Sequence, residues 1–181
     1  MNRTINFKLK DGKTVTIRRI RGTDYDAMMH FFDRFVRDPG VKYTSQYPGQ
    51  PKKNKESSVA MYDSPDNLFV GAWDGDALIG ECTLVKIAPQ NPKFGLTGEV
   101  GNIILDEYTS KGLGGKLNEI VEEWARENGV HRLEAEVFHK NIRSLNNFMK
   151  RGYEIVGTKH DAAIVNKEWL HICVLEKILK K

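Results

Sequence analysis

The chain has 181 residues, 40% of them hydrophobic and 29% charged, with 28 Lys+Arg against 24 Asp+Glu and a formal charge of +4. That length suits one domain with one sizeable core, and the composition excludes a disordered or fibrous chain. The basic excess is small and dispersed, which argues against a dedicated nucleic-acid binder.

The densest basic stretches, Lys52, Lys53, Lys55 and the tail Lys177, Lys180, Lys181, read as solvated surface. Cys82 and Cys173 make neither a disulfide framework nor a zinc ribbon. Each lies in an apolar run and reads as a buried free thiol. Residues 1–10 alternate polar and apolar without the apolar core of a signal peptide, and no run approaches the ~18 residues of a membrane span. The expectation is one cytoplasmic domain over residues 1–181, without nucleic acid or membrane as a partner.

In chain order, residues 13–19 place Val15 and Ile17 between polar neighbours, a strand with one apolar face. Asp24 is the cap of a helical stretch in which Met28, Phe31, Phe32 and Phe35 recur at helical spacing. Residues 39–65 are rich in Gly, Pro, Lys and Ser and predict a long loop with a short helix near 56–61, a place where substrate choice is often made. Residues 68–73 and 77–87 flank Asp74-Gly75-Asp76 and predict an antiparallel hairpin. A third apolar run covers 99–105.

A glycine-rich turn follows, then a helix whose Leu113, Leu117, Ile120, Val121, Trp124 and Ala125 form one apolar stripe, with Gly129 as its stop. Leu133, Ala135 and Val137 alternate with Glu134 and Glu136 as a strand. A helix after Asn141 carries Leu145, Phe148 and Met149 on one face and stops at Gly152. Runs at 153–157 and 169–175 close the chain as strands. Strand-helix-strand units of this kind predict an α/β fold with a partly parallel sheet.

The turn Lys111-Gly112-Leu113-Gly114-Gly115 has a physical use. The first amides of a helix lack internal acceptors, and the dipole adds partial positive charge, so phosphate is welcome there. Lys111 and Lys116 are placed to add charge-assisted contacts. Three readings compete. A dinucleotide fingerprint has another glycine spacing and comes earlier in its fold. A Walker loop needs Ser or Thr after the lysine, whereas Leu117 follows Lys116. The third reading is a tight strand-to-helix turn with no ligand.

In context, Tyr108-Thr109-Ser110-Lys111-Gly112-Leu113-Gly114-Gly115-Lys116-Leu117 resembles the GNAT superfamily of acetyl-CoA-dependent N-acetyltransferases, with Thr109 where the family pattern has Arg or Gln. Asn141, Ser144, Phe148 and Gly152-Tyr153 fill the second family pattern, and the likeness spans about residues 13–178. The ending Tyr153-Glu154-Ile155-Val156-Gly157-Thr158 is similar to the branch that acetylates free amino acids or other small primary amines. The resemblance implies a mixed, mostly antiparallel sheet that splays between its central parallel strands and is flanked by helices. It implies acetyl-CoA as the acyl donor and no metal. Backbone groups of Ile103 and Ile104 would pair with the pantetheine amides. Amides of Ser110, Lys111, Gly112, Leu113, Gly114, Gly115 and Lys116 would hold the pyrophosphate, and Asn141 and Ser144 would stand near the opened strand. Family members often form homodimers.

Acetyl transfer needs a neutral amine, yet an amine of pKa about 10.4 is neutral in roughly one molecule per thousand or fewer at pH 7. A positioned general base supplies about 10²–10⁴-fold, and backbone N–H groups meet the developing oxyanion. Glu99, at the start of the third apolar run and on the same side as Gly101 and Ile103, is the first candidate base. Glu136, five residues before Asn141, is the second, and Glu81 in the facing hairpin the third. Each also has a plain reading as a solvated or salt-bridged carboxylate. The resemblance puts Phe148 where a Tyr often protonates the leaving thiolate, and Tyr153 at a core position.

His131 and His139 lack metal-pair spacing and read as surface or loop residues; His171 lies on the last strand. The combined expectation is direct transfer from acetyl-CoA to a primary amine, with small-molecule acceptors such as an amino acid or polyamine favoured by the 39–65 loop. The rivals are acetylation of a protein N-terminus or lysine, a coenzyme A sensor without turnover, and a nucleic-acid module.

Overall fold

The architecture is that of a computed structural model describing residues 3–38, 43–51 and 54–179. Eight strands form one sheet: β1 (Ile5–Lys8), β2 (Thr14–Arg19), β3 (Asn67–Asp74), β4 (Ala77–Lys86), β5 (Thr97–Ile104), β6 (Arg132–Phe138), β7 (Glu154–Val165) and β8 (Glu168–Ile178). The helices are α1 (Tyr25–Phe35), α2 (Lys55–Asp63), α3 (Leu113–Glu127) and α4 (Ile142–Lys150). The sheet order is β1-β2-β3-β4-β5-β6-β8-β7. Every neighbouring pair is antiparallel except β5 and β6. The α/β class and the splayed, mostly antiparallel sheet expected from the sequence are therefore present.

Alternation along β4 separates two environments. Cys82 and Leu84 are fully buried on the side of α3, where Cys82 Sγ donates to Asn118 Oδ1 at 3.3 Å. Glu81, Thr83 and Val85 point the other way, and their register partners on β5 are Ile103, Gly101 and Glu99. The stripe predicted for α3 is the buried one, from Leu113 to Ala125. Burying side chains of this size contributes about 1.5–3 kcal/mol each, so α3 fixes that face of the sheet. On the opposite face α1 buries Met28, Phe31 and Phe35, while α2 buries Tyr62 and Ser58.

The parallel pair is short. β5 and β6 are in register only at Thr97/Arg132, Gly98/Leu133 and Glu99/Glu134. Beyond Glu99 the two strands part, and β6 is paired on its far side with β8 over its whole length. That parting is the feature the functional site depends on.

Several local expectations need correction. Ile5–Lys8 is an additional strand, because its alternating residues pair with β2. Asp24 occupies the N-cap position of α1 without capping it by its side chain. Its carboxylate is drawn instead to Arg18, at 2.8 and 2.9 Å, and to the Arg21 amide. Met149 is exposed, leaving Leu145 and Phe148 as the buried residues of α4. The closing strands are longer than their apolar runs suggest, since the polar residues 158–161 and then Ala162 and Ala163 continue β7.

Lys177 is not solvated. Its Nζ reaches Glu122 Oε2 at 2.7 Å, and Arg151 grips the same carboxylate at 2.7 and 3.0 Å. Burial pushes the Glu122 pKa up, but the hydrogen bonds from Arg151 and Lys177 outweigh it and hold the group below the usual carboxylate range. Lys52, Lys53, Lys180 and Lys181 lie outside the described residues. No helix among the described residues is long and apolar enough to cross a membrane.

Candidate active site

A cleft of about 840 Å³ opens on the α1/α2 face of the sheet, where β5 and β6 part. Met28, Met29 and Phe32 of α1 and Met61 and Tyr62 of α2 supply its apolar wall. Residues 43–47 and 49–51 line it too, so the loop expected to influence acceptor choice does border the cavity. The segment 39–42 lies outside the described residues.

Glu99 lines the cleft and is exposed to it. It sits in the last parallel pair, opposite Glu134, and no ion-pair partner approaches it among the described residues. Glu136 also lines the cleft, but its carboxylate is ion-paired to Lys159 of β7. Glu81 is 6% exposed and forms part of the same wall. Beside it the Tyr62 phenol is pushed up to about 12 by burial and then by the Glu81 charge. Thus the three glutamates considered from the sequence share one cavity, and they differ in what else they touch.

Of the residues expected to hold the donor, Ile103, Asn141 and Ser144 line the cleft. Asn141 does two jobs with one amide: Oδ1 accepts the Ser144 N–H at 3.1 Å to cap α4, and Nδ2 donates to the Tyr43 carbonyl at 3.0 Å. Ser110, Lys111, Gly112, Leu113, Gly114, Gly115 and Lys116 lie outside the cleft lining, at the entrance to α3. Ser110 has φ 59° and Gly112 φ 90°, left-handed conformations that turn the chain sharply before the helix. The amides of Leu113, Gly114 and Gly115 open α3, where no preceding turn supplies acceptors. At Gly114 an added Cβ would come within 3.3 Å of both Asn147 Nδ2 and Ile104 Cδ1, so glycine lets the start of α3 pack closely against β5 and α4. A pyrophosphate fits this arrangement of bare amides at a helix start.

The two lysines expected to assist are engaged: Lys111 with Asp11 at 2.7 Å and Lys116 with Glu119 at 2.9 Å. The turn itself is braced from below. Tyr108 Oη donates to Asp74 at 2.6 Å, and Lys13 pairs with the same carboxylate. Lys13 and Tyr108 hold Asp74 below its ordinary range.

Phe148 is buried in the cleft wall, with Tyr153 stacked edge-on at 4.9 Å. Tyr153 does not line the cleft, its Oη has no hydrogen-bond partner among the described residues, and burial raises its pKa strongly. His139 is the loop residue expected, in the turn after β6, and is half-buried, packing on His171 at 4.9 Å between ring centroids. Cys82 and Cys173 are buried free thiols as expected. Among the described residues no cluster of His, Cys, Asp and Glu is arranged to hold a metal ion.

Sequence reasoning missed Asp33, Ser58, Tyr62, Thr83 and Asn102 as cleft residues. For α2 the signal was available, since Ser58, Met61 and Tyr62 fall three and four apart on one helical face. Asp33 had no such signal, because nothing local distinguishes it from a solvated helix acid.

This chain belongs to the acetyltransferase (GNAT) family, whose model matches residues 30–153. A crystal structure of a GNAT-family acetyltransferase from Streptococcus pneumoniae superposes with a TM-score of 0.79 at 19% identity, over 92% of this chain and 99% of that one. The structure of yncA from Salmonella typhimurium with its cofactor acetyl-CoA gives 0.75 at 18% identity, over 92% and 95%. Ribosomal-protein-alanine N-acetyltransferase from Brucella melitensis gives 0.73 at 20%, over 90% and 99%. At these identities the likeness is one of fold. No curated protein matches the sequence.

Proposed function

We propose that this chain is a single-domain N-acetyltransferase, which moves acetyl from acetyl-CoA directly to the primary amine of a small molecule with Glu99 as general base. The observation that carries the reading is the position of Glu99: cleft-facing, free of an ion pair among the described residues, and at the point where β5 and β6 separate. Glu136 is the weaker candidate because its carboxylate is already engaged by Lys159.

The donor lies along the free edge of β5, its amides on the backbone of Ile103 and Ile104, its pyrophosphate on the amides of residues 110–116, and Asn141 and Ser144 at the gap. Acetyl-CoA supplies an activated thioester; the protein positions it and handles protons. The ammonium of the acceptor loses one proton to Glu99 and on to solvent. A nitrogen–carbon bond forms as the carbon–sulfur bond breaks, and the second amine proton, relayed by water, leaves coenzyme A as the thiol. Water serves here because Phe148 has no hydroxyl and Tyr153 faces away from the cleft. The loop segments 43–47 and 49–51 on the cavity support a small acceptor over a protein N-terminus or lysine.

The test is coenzyme A release, followed with a thiol reagent across amines, peptides and a blank without acceptor. Turnover of small amines that Glu99→Gln abolishes and Glu136→Gln spares is the expected result. Saturable acetyl-CoA binding with no turnover would favour a sensor, and equal loss in both variants would reject Glu99 as the sole base.

A further inference from the structure

Four glycines lie in β3, β4 and β5, and at three of them neighbours occupy the place of a side chain. An added Cβ would meet Leu78 at 2.7 Å at Gly71, Ile104 at 3.0 Å at Gly80 and Leu84 at 3.0 Å at Gly98. Gly101 is different. A Cβ there would find Thr83 Oγ1 at 3.5 Å as its nearest described atom, an ordinary contact, and its φ is not positive. Neither packing nor backbone conformation asks for glycine at this point of β5. Glycine inside a strand weakens it and often marks the close approach of a ligand.

The surroundings say what approaches. Gly101 is exposed although β5 is the fifth of eight strands, because the cleft reaches the sheet there and β6 has already parted. On the cleft face of β5 it stands between Glu99 and Ile103, each roughly 7 Å away along the strand. Across the ladder its register partner is Thr83, whose hydroxyl donates to the Gly101 carbonyl at 3.4 Å. That bond uses the one proton the hydroxyl has, so Oγ1 can serve a ligand only as an acceptor. The space over Gly101 is therefore flanked by the proposed base, by the strand residue proposed to hold the pantetheine, and by an acceptor oxygen.

We infer that the space over Gly101 seats the reacting amine, and that Thr83 Oγ1 holds this amine by accepting one of its N–H groups. The inference rests on the proposed acetyl transfer and says where the acceptor nitrogen waits. Thr83 gains and loses no proton. The nitrogen is deprotonated toward Glu99 as written above, and the hydrogen bond to Oγ1 restrains its rotation while the nitrogen–carbon bond forms. A methyl group on residue 101 would push the nitrogen away from both the thioester and Glu99, and misplacement of about 1 Å is costly to rate.

Gly101→Ala and Gly101→Val test the space, and Thr83→Val and Thr83→Ser test the hydroxyl. The acceptor is the fastest among lysine, 1,4-diaminobutane and glucosamine. Gly101→Ala is expected to keep the urea midpoint and to bind acetyl-CoA within about twofold of the unmodified protein, read by calorimetry without acceptor. Its kcat/KM for the amine is expected to fall about tenfold, and that of Gly101→Val about a hundredfold. Thr83→Val should raise the amine KM about threefold to tenfold with acetyl-CoA binding unmoved, and Thr83→Ser should restore it. Should the Gly101 variants not fold, the Thr83 pair decides. Unchanged kcat/KM in both Gly101 variants, or Thr83→Ser as impaired as Thr83→Val, overturns the inference and leaves the acetyltransferase reading standing. Loss of acetyl-CoA binding in folded Gly101→Ala does the same, since the space would then belong to the donor. An unmodified protein that binds no acetyl-CoA, or binds it and turns over no amine, overturns both.

Discussion

The two faces of β4 and β5 treat carboxylates in opposite ways. Under α3, Glu122 is 2% exposed and is surrounded by Arg151, Lys177 and, at 3.9 Å, Arg126. Across the sheet, four acids line an open cleft whose described lining supplies no cation. The first arrangement is complete within the protein: the charge is buried, paired, and ties α3 to the end of α4 and to β8. The second differs acid by acid: Glu136 is paired with Lys159, and Glu99 has no ion pair among the described residues. Where a fold spends its own cations on an acid, that acid holds structure; Glu99, left without an ion pair among the described residues, faces the cleft instead.

Substitutions can break this contrast. The largest effect belongs to the cleft: Glu99→Gln is expected to lower kcat by about 10²–10⁴-fold while leaving the urea midpoint nearly unchanged, read by steady-state kinetics beside denaturation. Glu122→Gln should do the reverse. Removing one partner of a buried, multiply bonded ion pair costs about 3–5 kcal/mol, visible as a lower urea midpoint. A midpoint unchanged in Glu122→Gln would show that the cluster is incidental to stability.

The same residue sharpens the comparison through pH. The folded pKa of Glu122 lies below its unfolded value, so its contribution is fully present above the ordinary carboxylate range of about 4.5 and is lost as pH falls through the folded value. Acid titration of stability should therefore show a steeper decline below that range in the unmodified protein than in Glu122→Gln. Smaller again is Gly112→Ala. At φ 90° it strains the turn by about 1–3 kcal/mol, and the expected signature is a raised KM for acetyl-CoA with the amine KM unaffected. Least of all, Lys159→Met frees the exposed Glu136 and should cost under about 1 kcal/mol of stability. The same change should give Glu136 a measurable contribution to rate, read as residual turnover in a Glu99→Gln background.

What the sequence disclosed, and what it did not, follows the range of each interaction. The α3 stripe, the 68–87 hairpin and the glycine turn are set by neighbours a few residues apart, and they stand where the spacing put them. Glu99 was legible because strand alternation fixes the face it shares with Gly101 and Ile103. Lys177 was not: a lysine near a basic tail looks solvated until β8 brings it beside a residue 55 positions earlier. Asp33 and Ser58 join the cleft only because α1 and α2 lie over β4 and β5. That the described cleft lining holds no Lys, Arg or His is a property of the assembled cavity, invisible in a chain whose overall charge is positive. Glu136 shows the same limit, since its strand pattern gave no hint of the lysine that neutralises it from β7.

The outermost strands have a consequence for solubility. β1 offers only four residues at one margin of the sheet, too short a template for another chain to extend. β7 is three times as long and carries exposed Ile155, Val156 and Ile164. Its ladder with β8 is broken by register shifts at Ile155/Gly157 and Lys159/Ala163, and His160, Asp161 and Ala162 occupy the second break. Such irregularities twist an edge out of register with any strand that might add to it. The length of β7 is thereby made compatible with remaining in solution, and straightening the 159–163 segment would turn the same edge into a site of aggregation.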